Sequence, residues 1–174
     1  RWRLGGMVMN VWSRCCRHLV HDARTVRRRF PDELMSRIEQ AVSDGERRHS
    51  AEIRIAIEAS LPLRDLLRGR STRQRALEVF AQLGVWDTEA NNGVLLYLLL
   101  ADHAVEIVAD RAAHGAIDAS VWREVCDTVA AACRDGRFEE GLRSGVVALN
   151  VSLAEAFPAR EGDRDELPNR PAIL

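Results

Sequence analysis

Along this chain the spacing of apolar positions changes several times, and each change marks an element. Between Val8 and His21, the apolar residues Val8, Val11, Trp12, Cys15, Leu19 and Val20 recur at helical spacing. Arg14, Arg17, His18 and His21 fall largely between them, which predicts a basic amphipathic helix. In "FPDELMSRIEQAVSDG", Pro31 suits a first helical turn and Asp32 and Glu33 favour the positive end of a helix dipole, with Leu34, Ile38, Ala41 and Val42 as the apolar stripe. At "AEIRIAIEAS" the period becomes two, with Ile53, Ile55 and Ile57 facing one way, and a strand over 51–60 follows. Ser71 then caps a helix over 72–83 that closes at Gly84.

Residues 94–101, "VLLYLLLA", are apolar without alternation, as in a strand covered on both faces. With the preceding strand and helix they make a strand, helix, strand unit, so the two strands are expected to be parallel with a right-handed crossover. Only Asp102, His103 and Ala104 separate this run from "VEIVA", which predicts a tight hairpin and an antiparallel third strand. Ser120 or Asp118 caps a helix with Val121, Val125, Val129 and Ala132 inward; a last helix buries Phe138, Leu142, Val146, Leu149, Leu153 and Phe157 and ends at Pro158. The expected organisation is a basic helical extension over 1–30, an α/β domain over 31–157 and a polar, mobile tail over 158–174. The fold class is α/β, with helices on both sides of a small mixed sheet.

Composition narrows the function. All 25 basic residues are arginine, yet 26 acidic residues bring the net charge to -1, so there is no basic field for nucleic acid. Cys15, Cys16, Cys126 and Cys133 lack metal-site spacing and read as small core residues. No apolar run reaches the 18 or more residues of a membrane span, and Arg14, Arg17 and His18 interrupt the first helix too early for a signal-peptide core. A cytoplasmic protein is expected, with residues 8–21 either packing on the domain or touching a membrane surface at the inner membrane or a partner groove. His18 and His21 share a helix face, but a metal would need a third ligand.

Two clusters of polar residues flank the predicted sheet. At the carboxyl edge of the parallel strands stand Glu58, Ser60, Asp102 and His103; open α/β sheets place ligands at that edge, although an aspartate in a hairpin also serves the turn alone. At the other edge stand Asp87, Glu89, Asn91, Asn92, Asp110, Arg111 and Glu52. Their oxygens suit calcium or magnesium, and a plain solvated loop is the competing reading. Asp102 and Asp110 are a strand length apart, about 20 Å, so they form no dyad. Phosphate-loop, dinucleotide, nucleophile-elbow and zinc-protease motifs are absent from the sequence.

The stretch "NNGVLLYLLLADHAVEIVAD" with the later "GRFEEGLRSGVVAL" resembles the TPM domain family. Asn91, Asn92, Gly93, Val94, Leu95 and Leu96 match its strand motif, Asp102 its turn acid, and Phe138 with Gly141 the start of its last helix, over about residues 45–157. The resemblance implies a three-layer α/β/α sandwich; members are linked to calcium binding, acid phosphatase activity and membrane-protein repair. His103 departs from the family's usual arginine, and "ADRAAHGAID" stands where many members carry a glycine-rich loop. Two functions follow as expectations. One is a non-catalytic module that binds a divalent cation through Asp87, Glu89, Asn92 and Asp110 and recruits a membrane-associated protein partner. The other is a metal-dependent phosphatase using Asp102 and Arg111.

Overall fold

The computed structural model describes residues 11–21, 23–160, 162 and 164–174. Its centre is one mixed sheet in the order β3-β2-β1-β4, made of β1 (Ile53–Glu58), β2 (Val94–Leu99), β3 (Ala104–Ala109) and β4 (Ala172–Ile173). β1 and β2 run parallel, from Ile53 opposite Val94 to Glu58 opposite Leu99. β3 returns antiparallel, with Leu99 opposite Ala104 and Val94 opposite Ala109. Every residue of β1 and β2 is buried, which is why β2 shows no alternation in sequence.

Helices cover both faces. On one, α2 (Ala23–Arg29), α3 (Asp32–Glu46), α7 (Ala119–Arg134) and α8 (Phe138–Ala156) close a core with Ile53, Ile55, Ile57, Val94, Leu96 and Leu98. On the other, α1 (Val11–Val20), α4 (Leu63–Leu67) and α5 (Thr72–Gln82) contribute Cys15, Leu66, Ala76 and Val79 to a second core with Ala56, Leu95, Tyr97 and Leu99. This is the three-layer sandwich expected. Local signals set the helix starts: Ser71 and Gln74 form a capping box on α5, and Asp118 caps α7 by accepting from Ser120 N–H.

Three features differ from the sequence reading. The stretches 23–29, 63–67 and 111–116 form short helices, the last being α6 (Arg111–Ala116), too brief to carry a readable period. Residues 164–174, expected as a mobile tail, lie against the domain: β4 pairs with β1 in parallel and Leu167 is buried. Arg54 of β1 anchors them by donating from Nη1 to the carbonyls of Pro168 and Arg170, which supply acceptors to part of a buried guanidinium.

The third difference concerns α1, whose predicted first residues at Val8 lie outside the described range. Its inward face includes Arg14 and His18 beside Cys15, while Leu19 is 75% exposed. Helical period fixes which residues share a face. It does not say which face turns inward when a buried acid waits there.

Candidate functional site

Asp102 sits in the turn between β2 and β3, closed by His103 N–H donating to Leu100 O, with His103 in the left-handed region at φ 51°. Its carboxylate is taken by side chains. Arg14 donates from Nε at 3.0 and 3.1 Å and from Nη2 at 2.6 Å, and Arg17 Nη2 stands at 3.6 Å. Thr72 Oγ1 donates at 3.3 Å. His18 Nδ1 accepts from the Leu61 N–H at 2.8 Å, so the ring proton sits on Nε2 and is donated to Asp102 at 3.0 Å. These donors and the guanidinium charge outweigh burial and hold the Asp102 carboxyl well below the usual carboxylate range.

Glu58, at the same edge, is likewise spoken for. Arg75 binds it through Nε and Nη2 at 2.8 and 3.0 Å, and the buried Tyr97 hydroxyl donates to it at 2.5 Å. Burial together with the Glu58 charge pushes the Tyr97 hydroxyl above its ordinary range, so it stays a donor. The carboxyl edge is thus a set of matched ion pairs. Arg111 begins α6 after the far end of β3, so it and Asp102 lie a strand length apart and cannot act on one phosphoryl group.

At the amino-terminal edge of the sheet the expected acids Asp87, Glu89 and Asp110 do not form a group of three ligand oxygens within 4.8 Å. Asp87 and Glu89 are exposed, and the Glu89 N–H is engaged by Glu166 Oε1 and Oε2. Asp110 caps α6 through the Arg111 N–H, while fully buried Asn92 donates to Ser50 O. Each keeps one buried oxygen without a partner, Asn92 Oδ1 and Asp110 Oδ2. The His18 and His21 pair is also excluded as a metal site: His18 serves Asp102 and Leu61, and His21 Nδ1 donates to Arg17 O. Cys15, Cys126 and Cys133 are buried thiols, and burial pushes Cys126 and Cys133 up to about 12.

A different trio meets at that edge. Glu46 at the end of α3, Glu52 just before β1 and Asp165 of the carboxyl-terminal segment bring ligand oxygens within 4.8 Å of one another, the one such group of three among the described residues. Glu46 Oε1 accepts from Ile53 N–H at 3.0 Å, and Oε2 is buried without a partner. Glu52 accepts from the Glu166 and Leu167 N–H groups, each at 3.2 Å. Asn169 Nδ2 donates to Asp165 at 2.9 Å. No arginine pairs with the three among the described residues. Burial, and after it the neighbouring carboxylates, push Glu46 up to about 8 and Glu52 up to about 7.

The trio opens on a cleft of about 380 Å³ that Arg47, Arg160 and Arg164 also line. Three hard oxygen donors with one orphaned buried oxygen and unmatched negative charge fit a divalent cation. A larger open groove of about 710 Å³ beside the start of α8 has its acids paired instead, Glu139 with Arg37 and Glu140 with Arg137. Sequence reasoning placed Glu52 at the correct edge but missed Glu46 and Asp165. Their separation along the chain gave no signal, because only the docking of the carboxyl-terminal segment brings Asp165 beside the end of α3.

Comparison with known proteins agrees with this architecture. The model of the TPM domain matches residues 29–151. The NMR structure of the BA42 protein from the psychrophilic bacterium Bizionia argentinensis is similar at 28% identity and a TM-score of 0.72, covering 82% of this chain and 93% of that one. The N-terminal domain of a protein from P. gingivalis shares the fold, at 23% identity and a TM-score of 0.51 over 70% of this chain and 76% of that domain. No curated protein matches.

Proposed function

This chain belongs to the TPM domain family, and on that premise we propose that it is a non-catalytic interaction module that takes up calcium or magnesium through Glu46, Glu52 and Asp165. The observation that carries this reading is the carboxylate trio, drawn together with no arginine in ion-pair contact among the described residues. A divalent ion supplies that missing charge when bound, and oxygen ligands from three separate segments are what such ions accept. Glu46 belongs to α3, Glu52 leads into β1 and Asp165 leads into the segment that forms β4. Uptake would tie these together and make the surface offered to a protein partner depend on the ion.

The absence of a role in catalysis is supported by the carboxyl edge. Asp102 is neutralised by Arg14 and its oxygens are taken up by donors from Arg14, His18 and Thr72, so it is poorly placed to accept or give a substrate proton. A phosphatase is the second reading, supported by Arg47, Arg160 and Arg164 lining the trio's cleft, where guanidinium groups would hold phosphoryl oxygens. In that reading the bound ion would contribute Lewis acidity.

Calorimetric titration of the full chain with calcium and then magnesium, repeated on the Glu46→Gln, Glu52→Gln double variant, tests both. Binding in the natural chain that is lost in the variant is the expected result. No binding at millimolar ion overturns the cation site. Ion-dependent hydrolysis of p-nitrophenyl phosphate that disappears in the double variant replaces the module with the phosphatase.

A further inference from the structure

The outer surface of α4 carries two exposed leucines where a five-residue surface helix would ordinarily be polar. Asp65 and Leu66 turn inward at 5% and 3% exposure, leaving Leu63, Arg64, Leu67 and Arg68 outside. Leu63 is 53% exposed and Leu67 69%, one helical turn apart on the same side. α1 packs beside α4: His18 takes the Leu61 N–H and Arg14 Nη1 donates to Arg70 O at 2.6 Å. Because α1 spends Arg14 and His18 on buried Asp102, its Leu19 is left facing solvent. Three leucines on two neighbouring helices are thus exposed by the same contacts that fix those helices in place.

Among the described residues the exposed charge on α4 is arginine. Arg64 and Arg68 alternate with the leucines along α4. The nearby acids are spent: Asp65 is buried within 3.9 Å of both Arg64 and Arg70, Glu78 pairs with Arg70, and Asp102 pairs with Arg14. Segments 11–21 and 61–70, which form this face and its flanks, together hold five arginines against one aspartate in a chain whose net charge is -1. Leucines that need hydrocarbon, beside guanidinium groups that need phosphate, match an anionic bilayer surface.

We propose that the α1/α4 face, with Leu19, Leu63 and Leu67 as its apolar contacts and Arg64 and Arg68 as its electrostatic ones, docks on an anionic membrane surface. The membrane contact expected of residues 8–21 is thereby moved to a composite face that includes α4. This contact lies at the carboxyl edge of the sheet and is independent of the cation trio at the other.

Co-sedimentation of the full chain with vesicles of phosphatidylglycerol in phosphatidylcholine, against vesicles of phosphatidylcholine alone, tests it. Binding to the anionic vesicles alone, weakened at high salt, is expected. Leu63→Ser with Leu67→Ser, and separately Arg64→Glu with Arg68→Glu, each lower the binding by roughly tenfold or more. All four side chains are on the surface, so the melting temperature stays close to that of the natural chain and separates lost contact from lost fold. Val147→Ser with Val151→Ser, which removes an exposed apolar pair on α8, leaves binding unchanged. The proposal is overturned by no binding to anionic vesicles, by equal binding to neutral ones, or by full binding of the double-leucine variant.

Discussion

At the carboxyl edge of the sheet one aspartate is met by two arginines and a histidine, while at the amino edge three carboxylates share a small space with no paired arginine among the described residues. Asp102, Glu46 and Glu52 are all partly or wholly withdrawn from water, while Asp165 is exposed, so burial alone does not distinguish the edges. Counter-charge does. Asp102 is held below the carboxylate range by its partners, whereas Glu46 and Glu52, raised by burial first and by neighbouring carboxylates after it, reach about 8 and about 7. Acid buried with its partners is a structural fastener; acid buried without them is the better place to look for a ligand.

The strongest way to break this contrast is Asp102→Ala. It leaves Arg14 and His18 facing each other without a carboxylate and loosens α1 from the sheet. We expect a loss of about 3–5 kcal/mol, read from urea denaturation. A loss under about 1 kcal/mol would mean that Asp102 is not what holds α1.

The next effect is one of pH. Glu46 and Glu52 bind protons more tightly in the folded chain than at their ordinary value of 4.5. Their contribution to stability is therefore fully present below about pH 4.5, falls as pH rises, and is lost by about pH 8. Asp102 has the opposite sign: its contribution is present above its ordinary 3.8 and is lost as pH falls beneath that. Replacing Glu46 and Glu52 by glutamine should flatten the decline between pH 5 and 8 and stabilise the metal-free chain at pH 8 by roughly 1–2 kcal/mol. Calcium should flatten the same decline in the natural chain. Melting temperatures measured across that range check both statements.

A smaller change sharpens the carboxyl edge. Tyr97→Phe removes one of the donors to Glu58 but leaves Arg75 in place, so a loss of about 1–2 kcal/mol is expected in thermal or urea unfolding. The smallest effect belongs to the loop. Asp87→Ala with Glu89→Ala should leave the calcium-induced shift in melting temperature unchanged, since both side chains are exposed and outside the trio. Loss of the shift in that variant would return the ion to the loop.

The contrast also explains what was legible in advance. The apolar run of β2, the alternation of β1, the three-residue hairpin and the caps at Ser71 and Asp118 all act between near neighbours, so period and turn chemistry announced the sandwich directly. The matching of the TPM domain model to residues 29–151 agrees with the motif read in "NNGVLLYLLLADH". No such local rule governs residues that meet across long stretches of chain. Arg14 and Asp102 are 88 residues apart, and Arg54 reaches Arg170 across 116.

The sequence by itself therefore determined the long helices, the three central strands, their order and the family, because backbone hydrogen bonding and apolar period are set within a few residues. Tertiary structure alone decided which acids are neutralised and which are not. It turned α1 with its arginine and histidine inward, drew residues 164–174 onto the sheet and left Asp165 beside Glu46 and Glu52. The physical reason is that charge is compensated across space, and the distance that matters is measured in ångströms rather than in residues.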